Sequence, residues 1–240
     1  MALAELHRAL PVGGVLDLTV GPGDGCPGDE PARPLAGREP PLSDLLIGAG
    51  FEPHEPLAAE GAGVAHGPPV ARARRARTLP DTVGPCMRML ICGLNPSLYA
   101  ADAGVAFARP GNRFWPAALA SGLVSADRDP DDALHHHGVG MTDLVKRATV
   151  AAGELTTAEY RSGLARVERL VRWLRPGAIC FVGLAGWRAA VDRRARPGNQ
   201  PEGLAGVPVY VMPSTSGLNA RTSRDELTAH LRQAAAAAAG

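Results

Sequence analysis

Short, nearly continuous apolar runs separated by stretches of helical periodicity organise most of this chain. Met87 to Cys92, Ala178 to Val182 and Val207 to Met212 have the length and character of strands buried on both faces. Val139 to Thr142 is a shorter candidate. Between them, Tyr160, Leu164, Val167, Val171 and Leu174 fall on one helical stripe, which Thr156-Thr157-Ala158-Glu159 opens as a capping box and Pro176-Gly177 stops. Asn112 caps a predicted helix running to Gly122, with Pro116 tolerated in its first turn. Leu184 to Arg194 reads as another helix, and Ser223-Arg224-Asp225-Glu226 opens a last one that trails into an alanine run. Strands alternating with helices of these lengths predict an α/β fold: a three-layer α/β/α sandwich around a central, mainly parallel sheet.

The first 85 residues follow no such rhythm. Glu5 to Val20 reads as helix, turn and strand, and Leu42 to Phe51 as a short helix ending at Gly48 or Gly50. Proline and glycine crowd residues 21–40 and 61–70, which marks linkers rather than core. Arg72, Arg74, Arg75 and Arg77 form a basic cluster, either a solvated linker or a phosphate contact. The expected organisation is an N-terminal extension over 1–70, a basic linker over 71–85, a globular domain over 86–235 and a tail over 236–240. The chain has no internal repeat.

Composition narrows the partners. A chain of 240 residues with 45% apolar side chains holds one ordinary domain plus an extension. No apolar run approaches the ~20 residues of a membrane span, and no charged n-region precedes an apolar core. A cytoplasmic protein is therefore expected, at the nucleoid if the source is bacterial, with no membrane partner. The net charge of +1 hides an asymmetry: residues 1–60 carry ten acidic and three basic side chains, residues 61–240 fourteen acidic and twenty-two basic. The later part is basic enough to suit a polyanion. Cys26, Cys86, Cys92 and Cys180 have no close pairing, and adjacent positions such as His135, His136 and His137 point in different directions on any regular element. No metal site is expected, and the histidines read as a polar loop near a helix end.

The chemistry concentrates after two strands. Gly93-Leu94-Asn95-Pro96-Ser97 follows the first, with Phe107-Ala108-Arg109-Pro110-Gly111-Asn112-Arg113-Phe114-Trp115 close behind. Pro213-Ser214-Thr215-Ser216-Gly217-Leu218-Asn219 follows the last. Loops at the carboxyl edge of a parallel sheet are where open α/β folds place their ligands. The first block resembles the leading active-site motif of the mismatch-specific uracil-DNA glycosylases, the family that includes thymine-DNA glycosylase. In that family Gly-Ile-Asn-Pro-Gly precedes a Phe and then Asn-Arg-Phe-Trp or Asn-His-Phe-Trp. The second block resembles its other motif, Pro-Asn-Pro-Ser-Gly-Leu or Pro-Ser-Ser-Ser-Ala. The resemblance covers about residues 86–235. Residues 1–60 look weakly like the late elements of a class I methyltransferase, but the glycine-rich loop that would hold a methyl donor is absent, so no methyl transfer is inferred.

The resemblance implies a DNA glycosylase that extrudes a base from the duplex and hydrolyses its glycosidic bond. The expected partner is double-stranded DNA carrying a mismatched or damaged pyrimidine, and the protein is expected to act as a monomer. Asn95 is the catalytic candidate, an amide that orients water but cannot take its proton. Asp143, just beyond a strand end, is either the missing base or a helix cap for the turn after it. Phe107 would stack on the base, with backbone near Leu94 and Phe107 reading its edge, and Ser97 and Ser214 are the departures from the motif that bear on the base range. Leu218 is the wedge, with Ser216, Gly217, Asn219 and Arg221 around it as DNA contacts. Phe114 and Trp115 read as core. Lys146 is the only lysine, poor support for Schiff-base strand cleavage, so simple hydrolysis to an abasic site is expected. Some relatives hold an iron–sulfur cluster; this sequence lacks a matching cysteine set, and no cofactor is expected. The rivals are a non-catalytic lesion-binding module of the same fold and a small-molecule hydrolase or nucleotide-binding domain, for which no phosphate loop or nucleophile set is evident.

Overall fold

The computed structural model describes residues 2–19, 40–54 and 70–238. The proline- and glycine-rich stretches expected as linkers, 21–40 and 61–70, fall almost wholly outside these residues, as does Cys26.

The described residues form two sheets. In chain order the elements are α1 (Ala2–Ala9), β1 (Val15–Thr19), α2 (Leu42–Gly48), β2 (Phe51–His54), β3 (Val70–Arg75), β4 (Met89–Gly93), α3 (Leu98–Ala103), α4 (Phe114–Ser121), α5 (Pro130–His137) and β5 (Val139–Asp143). A short 3-10 turn at Ala152–Glu154 then leads to α6 (Thr157–Leu174), β6 (Ala178–Val182), α7 (Leu184–Ala190), β7 (Gly198–Asn199), β8 (Val209–Met212) and α8 (Arg224–Ala237). The larger sheet has the order β5-β4-β6-β8-β7, with β7 antiparallel and the other neighbours parallel.

The apolar runs are continuous because both faces of this sheet are covered. Met89 and Ile91 of β4 join Cys180, Tyr210, Phe114, Trp115, Leu227 and Leu231 on the side of α4 and α8. Leu90 and Cys92 join Ile179, Phe181, Val211, Val167, Val171 and Trp187 on the side of α6 and α7. This is the expected α/β/α sandwich. Because β4 pairs with β5 on one side and β6 on the other, the chain reverses direction across the sheet at β4. The carboxyl ends of the parallel strands, Gly93, Asp143, Val182 and Met212, share one edge. Ligand sites of open α/β sheets lie at such a reversal.

The basic linker expected over 71–85 is instead, over its first residues, the central strand of a second sheet. β3 pairs antiparallel with β1 and β2 in the order β1-β3-β2. Ala73 of β3 is fully buried with Leu46 and Phe51. Three of the four arginines are paired with acidic neighbours: Arg72 with Asp17 at 2.6 Å and Arg74 with Glu52 at 3.7 Å. Arg77 pairs with Asp102. An alternation of alanine and arginine carries little apolar signal; pairing with β1 and β2, burial of Ala73 and acidic partners on other segments make it a strand. This small module is docked on the sandwich. Asp44 of α2 accepts two bonds from Arg169 of α6, at 2.5 and 3.1 Å, and the backbone N–H of Asp81 donates to the Gly48 carbonyl at 2.6 Å. His7 lies buried against the Ala76 carbonyl at 3.2 Å, and burial, the chief cause, lowers its pKa to about 4.

Candidate active site

β4 ends at Gly93, where a side chain would disturb its neighbours: a Cβ would collide with Asp143 Oδ1 and approach Phe107 Cζ to 3.4 Å. Asp143 sits beside Gly93 in register at the end of β5. One glycine thus lets a carboxylate and an aromatic edge converge on the strand end that carries Asn95.

The Asn95 side chain is oriented from one side. Its amide nitrogen donates to the Thr149 hydroxyl at 2.8 Å, the Arg147 carbonyl at 3.0 Å and, more loosely, the Pro96 carbonyl at 3.2 Å. A carbonyl can only accept, so the amide cannot be turned round, and Oδ1 is left without a protein donor among the described residues. The bracket that does this, residues 144–149, is tied along its length. Leu144 and Val145 donate backbone bonds to the carbonyls of Gly93 and Leu94, both at 2.9 Å, and Arg147 forks onto Glu159 at 2.7 and 3.2 Å. No helix begins after Asp143, so the alternative of a helix cap is not realised.

Asp143 is 7% exposed, and its carboxyl accepts no hydrogen bond from any described residue. Burial is the main cause that raises its pKa, to about 6; Asp81 adds to the rise, while Lys146 and Arg166 oppose it. It borders a cavity of about 20 Å³, space for one water, together with Thr82, Gly104, Ala106 and Thr142. Phe107 holds a left-handed backbone, φ 58°, unusual for a residue with a side chain. Its ring stacks on Phe114 with centroids 4.2 Å apart. Phe114 and Trp115 are buried, as expected of core residues.

The second loop is built around Arg113. This guanidinium donates to the carbonyls of Thr222, Asn219 (2.6 Å) and Ser216 (3.1 Å). Asn219 donates in turn to the Ser214 carbonyl at 2.8 Å and to the Thr222 hydroxyl at 3.2 Å, and the Ser214 and Ser216 hydroxyls accept from the backbone N–H groups of Ser216 and Leu218, both at 3.3 Å. Gly217 lies so close to the other loop that a Cβ there would be 2.8 Å from the Gly111 carbonyl. On this scaffold Leu218 is 85% exposed, more than any other large apolar side chain among the described residues. Arg109, Pro110 and Asn112 face Ser216, Gly217 and Leu218 across a cleft, and Arg221 is exposed nearby.

The structure therefore brings together Asn95, Asp143, Leu94 and Phe107 at one strand end, with Ser214 to Arg221 on the adjoining loop. The Ser97 hydroxyl caps α3, accepting from the Ala100 N–H at 3.1 Å. The Leu94 side chain packs into the α6–α7 side of the core, leaving only its backbone toward the edge. The histidines read as a loop are the last turn of α5, which Asp129 caps. Thr149 and Arg113 were not singled out from the sequence. Thr149 lies in a loop without periodicity, whereas Arg113 stood in plain view inside the Asn-Arg-Phe-Trp block. Lys146 donates to Asp81 at 2.7 Å with its side chain 9% exposed, so the chain's one lysine amine is bound and covered.

No helix among the described residues is long and apolar enough to cross a membrane. The family model described as "Uracil DNA glycosylase superfamily" matches residues 80–238, a span that takes in β4 to β8, both loops and Asp81. The chain belongs to the uracil DNA glycosylase superfamily, a family that acts on DNA.

Proposed function

We propose that this protein is a monofunctional, mismatch-specific DNA glycosylase: acting as a monomer, it releases uracil or a related damaged pyrimidine, preferentially opposite guanine, and leaves an abasic site. The observation that carries this reading is the pairing of an amide locked with its oxygen free and a carboxylate of raised pKa on either side of Gly93.

The chemistry runs as follows. Leu218 enters the stack as the target nucleotide swings out, at a cost of a few kcal/mol of unstacking that the inserted side chain offsets. The extruded base lies against Phe107, whose ring is backed by Phe114. As the glycosidic bond lengthens, positive charge gathers on the sugar and negative charge on the departing base. Asn95 Oδ1 holds a water against the sugar carbon, and Asp143, mostly ionised at neutral pH with a pKa of about 6, takes its proton. An Asn alone would orient water without activating it. With Lys146 held by Asp81, no lysine is placed to attack the sugar, which favours hydrolysis over strand cleavage.

The test is release of uracil from oligonucleotides carrying it opposite guanine, opposite adenine and in a single strand. Asn95→Ala is expected to bind DNA but lose about 10²-fold or more of base release. Full activity in that variant removes Asn95 from the mechanism, and equal rates on all three substrates remove mismatch preference.

A further inference from the structure

Beneath the site lies a group of charges that the reaction itself does not use. Asp81, in the segment between β3 and β4, accepts from Lys146 Nζ and from the Thr142 hydroxyl, each at 2.7 Å on Oδ1, and from Arg166 Nη1 at 2.8 Å on Oδ2. Arg166 Nη2 donates to the Thr142 hydroxyl at 2.9 Å and to the backbone carbonyl of Asp143 at 2.8 Å. The Asp81, Arg166 and Lys146 side chains are 5%, 6% and 9% exposed. Burying such charges costs several kcal/mol per ion unless each is matched, so the arrangement requires a reason.

We propose that Asp81, Lys146 and Arg166 are positioning residues for Asp143: a buried ionic cluster that holds the end of β5 in place and supplies the positive charge its carboxylate requires. The inference rests on Asp143 acting as the base. The cluster holds two cations and one anion, and its excess positive charge offsets part of the cost of burying an ionised Asp143. The fork of Arg166 grips both Thr142 and Asp143, fixing the backbone from which the carboxylate projects. The charged and titratable groups around Asp143 are Lys146 on its own loop, Asp81 from the preceding segment, Arg166 from α6 and the Cys92 thiol from β4. Burial and Asp81 favour the neutral carboxyl, and the two cations favour the carboxylate. The far side is closed by α2. Its last residue, Gly48, lies so close that a Cβ would be 2.8 Å from Asp81 Oδ2 and 3.5 Å from Arg166 Nη1. The N-terminal module thereby covers the cluster on this side.

A cluster that merely held the fold together would leave the pH dependence of catalysis alone. Single-turnover excision across pH, with the full chain, separates the two. Wild type should lose rate below a pH of about 6. Lys146→Met leaves Asp81 and Arg166 matched one to one, so it is the least disruptive way to remove a cation, and it should move that acidic limb upward by about one unit. Lys146→Arg should restore the limb. Arg166→Lys keeps the charge but loses the fork, so it should cut the rate about tenfold or more while leaving the limb near its original place. Asp143→Asn should be slow and lack the limb. If Asp143→Asn removes the limb but Lys146→Met leaves it unmoved, the cluster has no such role and the base assignment stands. If Arg166→Lys turns over at the full rate, the positioning role falls. A limb that survives in Asp143→Asn overturns the base assignment and this inference together.

Discussion

An ionised Asp143 is a destabilising feature of this fold, and replacing it should make the protein more stable and less active at once. Its carboxyl pKa is raised from an ordinary 3.8 to about 6 in the folded chain. Between those two values an unfolded chain gives up a proton that the folded chain retains. Stability from this group is therefore full below a pH of about 4, falls as pH rises through the window, and stays lost above a pH of about 6. A shift of about two units corresponds to roughly 3 kcal/mol. Asp143→Asn cannot ionise and keeps a similar shape, so it should unfold at higher urea at pH 7.5, by up to about 3 kcal/mol, with an unchanged denaturant slope. The advantage should shrink through pH 6 to 5 and vanish near pH 4. Over the same range the wild-type excision rate should fall as pH drops, reaching half near the folded pKa of about 6, because one protonation relieves the fold and disables the base. A variant no more stable than wild type at pH 7.5, or an advantage that persists at pH 4, would refute the reasoning. Gained stability with undiminished turnover would show instead that the carboxylate is dispensable to the chemistry.

Leu218→Ala should depress excision from a guanine–uracil duplex far more than from single-stranded uracil, with little change in melting temperature, because an 85% exposed side chain loses almost no burial. A large fall in melting temperature, with both substrates affected alike, would mean that Leu218 is core in solution. Thr149→Val should lower turnover about tenfold with little loss of DNA affinity, since the Asn95 amide keeps only its carbonyl acceptors; unchanged turnover would show that the bracket does not orient Asn95. Removing residues 1–71 should destabilise the protein and shift its acidic limb. That cut divides β3 and strips α2 from Arg169 and Asp81, so a truncated chain with wild-type melting temperature and pH profile would show that the module is dispensable.

The sandwich was legible because its strands are buried on both faces. Ala178–Val182 reads as a strand with the bounds it has, and Thr156 and Ser223 cap α6 and α8 through the boxes their sequences announce. Boundaries moved where backbone contacts decide them. The helix expected from Leu184 to Arg194 stops at Ala190, after which Arg188 folds back onto the Ala195 carbonyl at 2.7 and 2.9 Å. Between the two blocks of the first motif lies α3, six residues between a serine cap and a left-handed Gly104, too short for any periodicity to show. The reach of Asn95 to Arg147 and Thr149 spans more than fifty residues of sequence. No local pattern encodes it. The same holds for Asp81, whose partners Thr142, Lys146 and Arg166 come from β5, the bracket and α6. An Asp in a segment that reads as linker gives no hint that two cations wait for it.

The two loops differ in how they are held, and that difference bears on how they work together. The Asn95 side is fixed from below by strand register, the bracket and buried charge, as bond-breaking geometry requires. The Leu218 side is held through backbone carbonyls gathered by Arg113, and Arg113 itself sits between Phe107 and the start of α4. Its own N–H also donates to the Thr215 carbonyl at 2.9 Å. A displacement of the wedge must therefore pull on the segment that carries the base-stacking ring, and the contact of Gly217 with Gly111 leaves no slack between them. On the proposed reading, filling the duplex and seating the base are mechanically one event. Arg113→Met should thus impair both, lowering duplex excision and loosening base capture together, whereas Leu218→Ala should affect only the filling. Fluorescence of a base analogue beside the target reports extrusion directly: a normal signal in Arg113→Met with slow excision would mean that the two loops act independently.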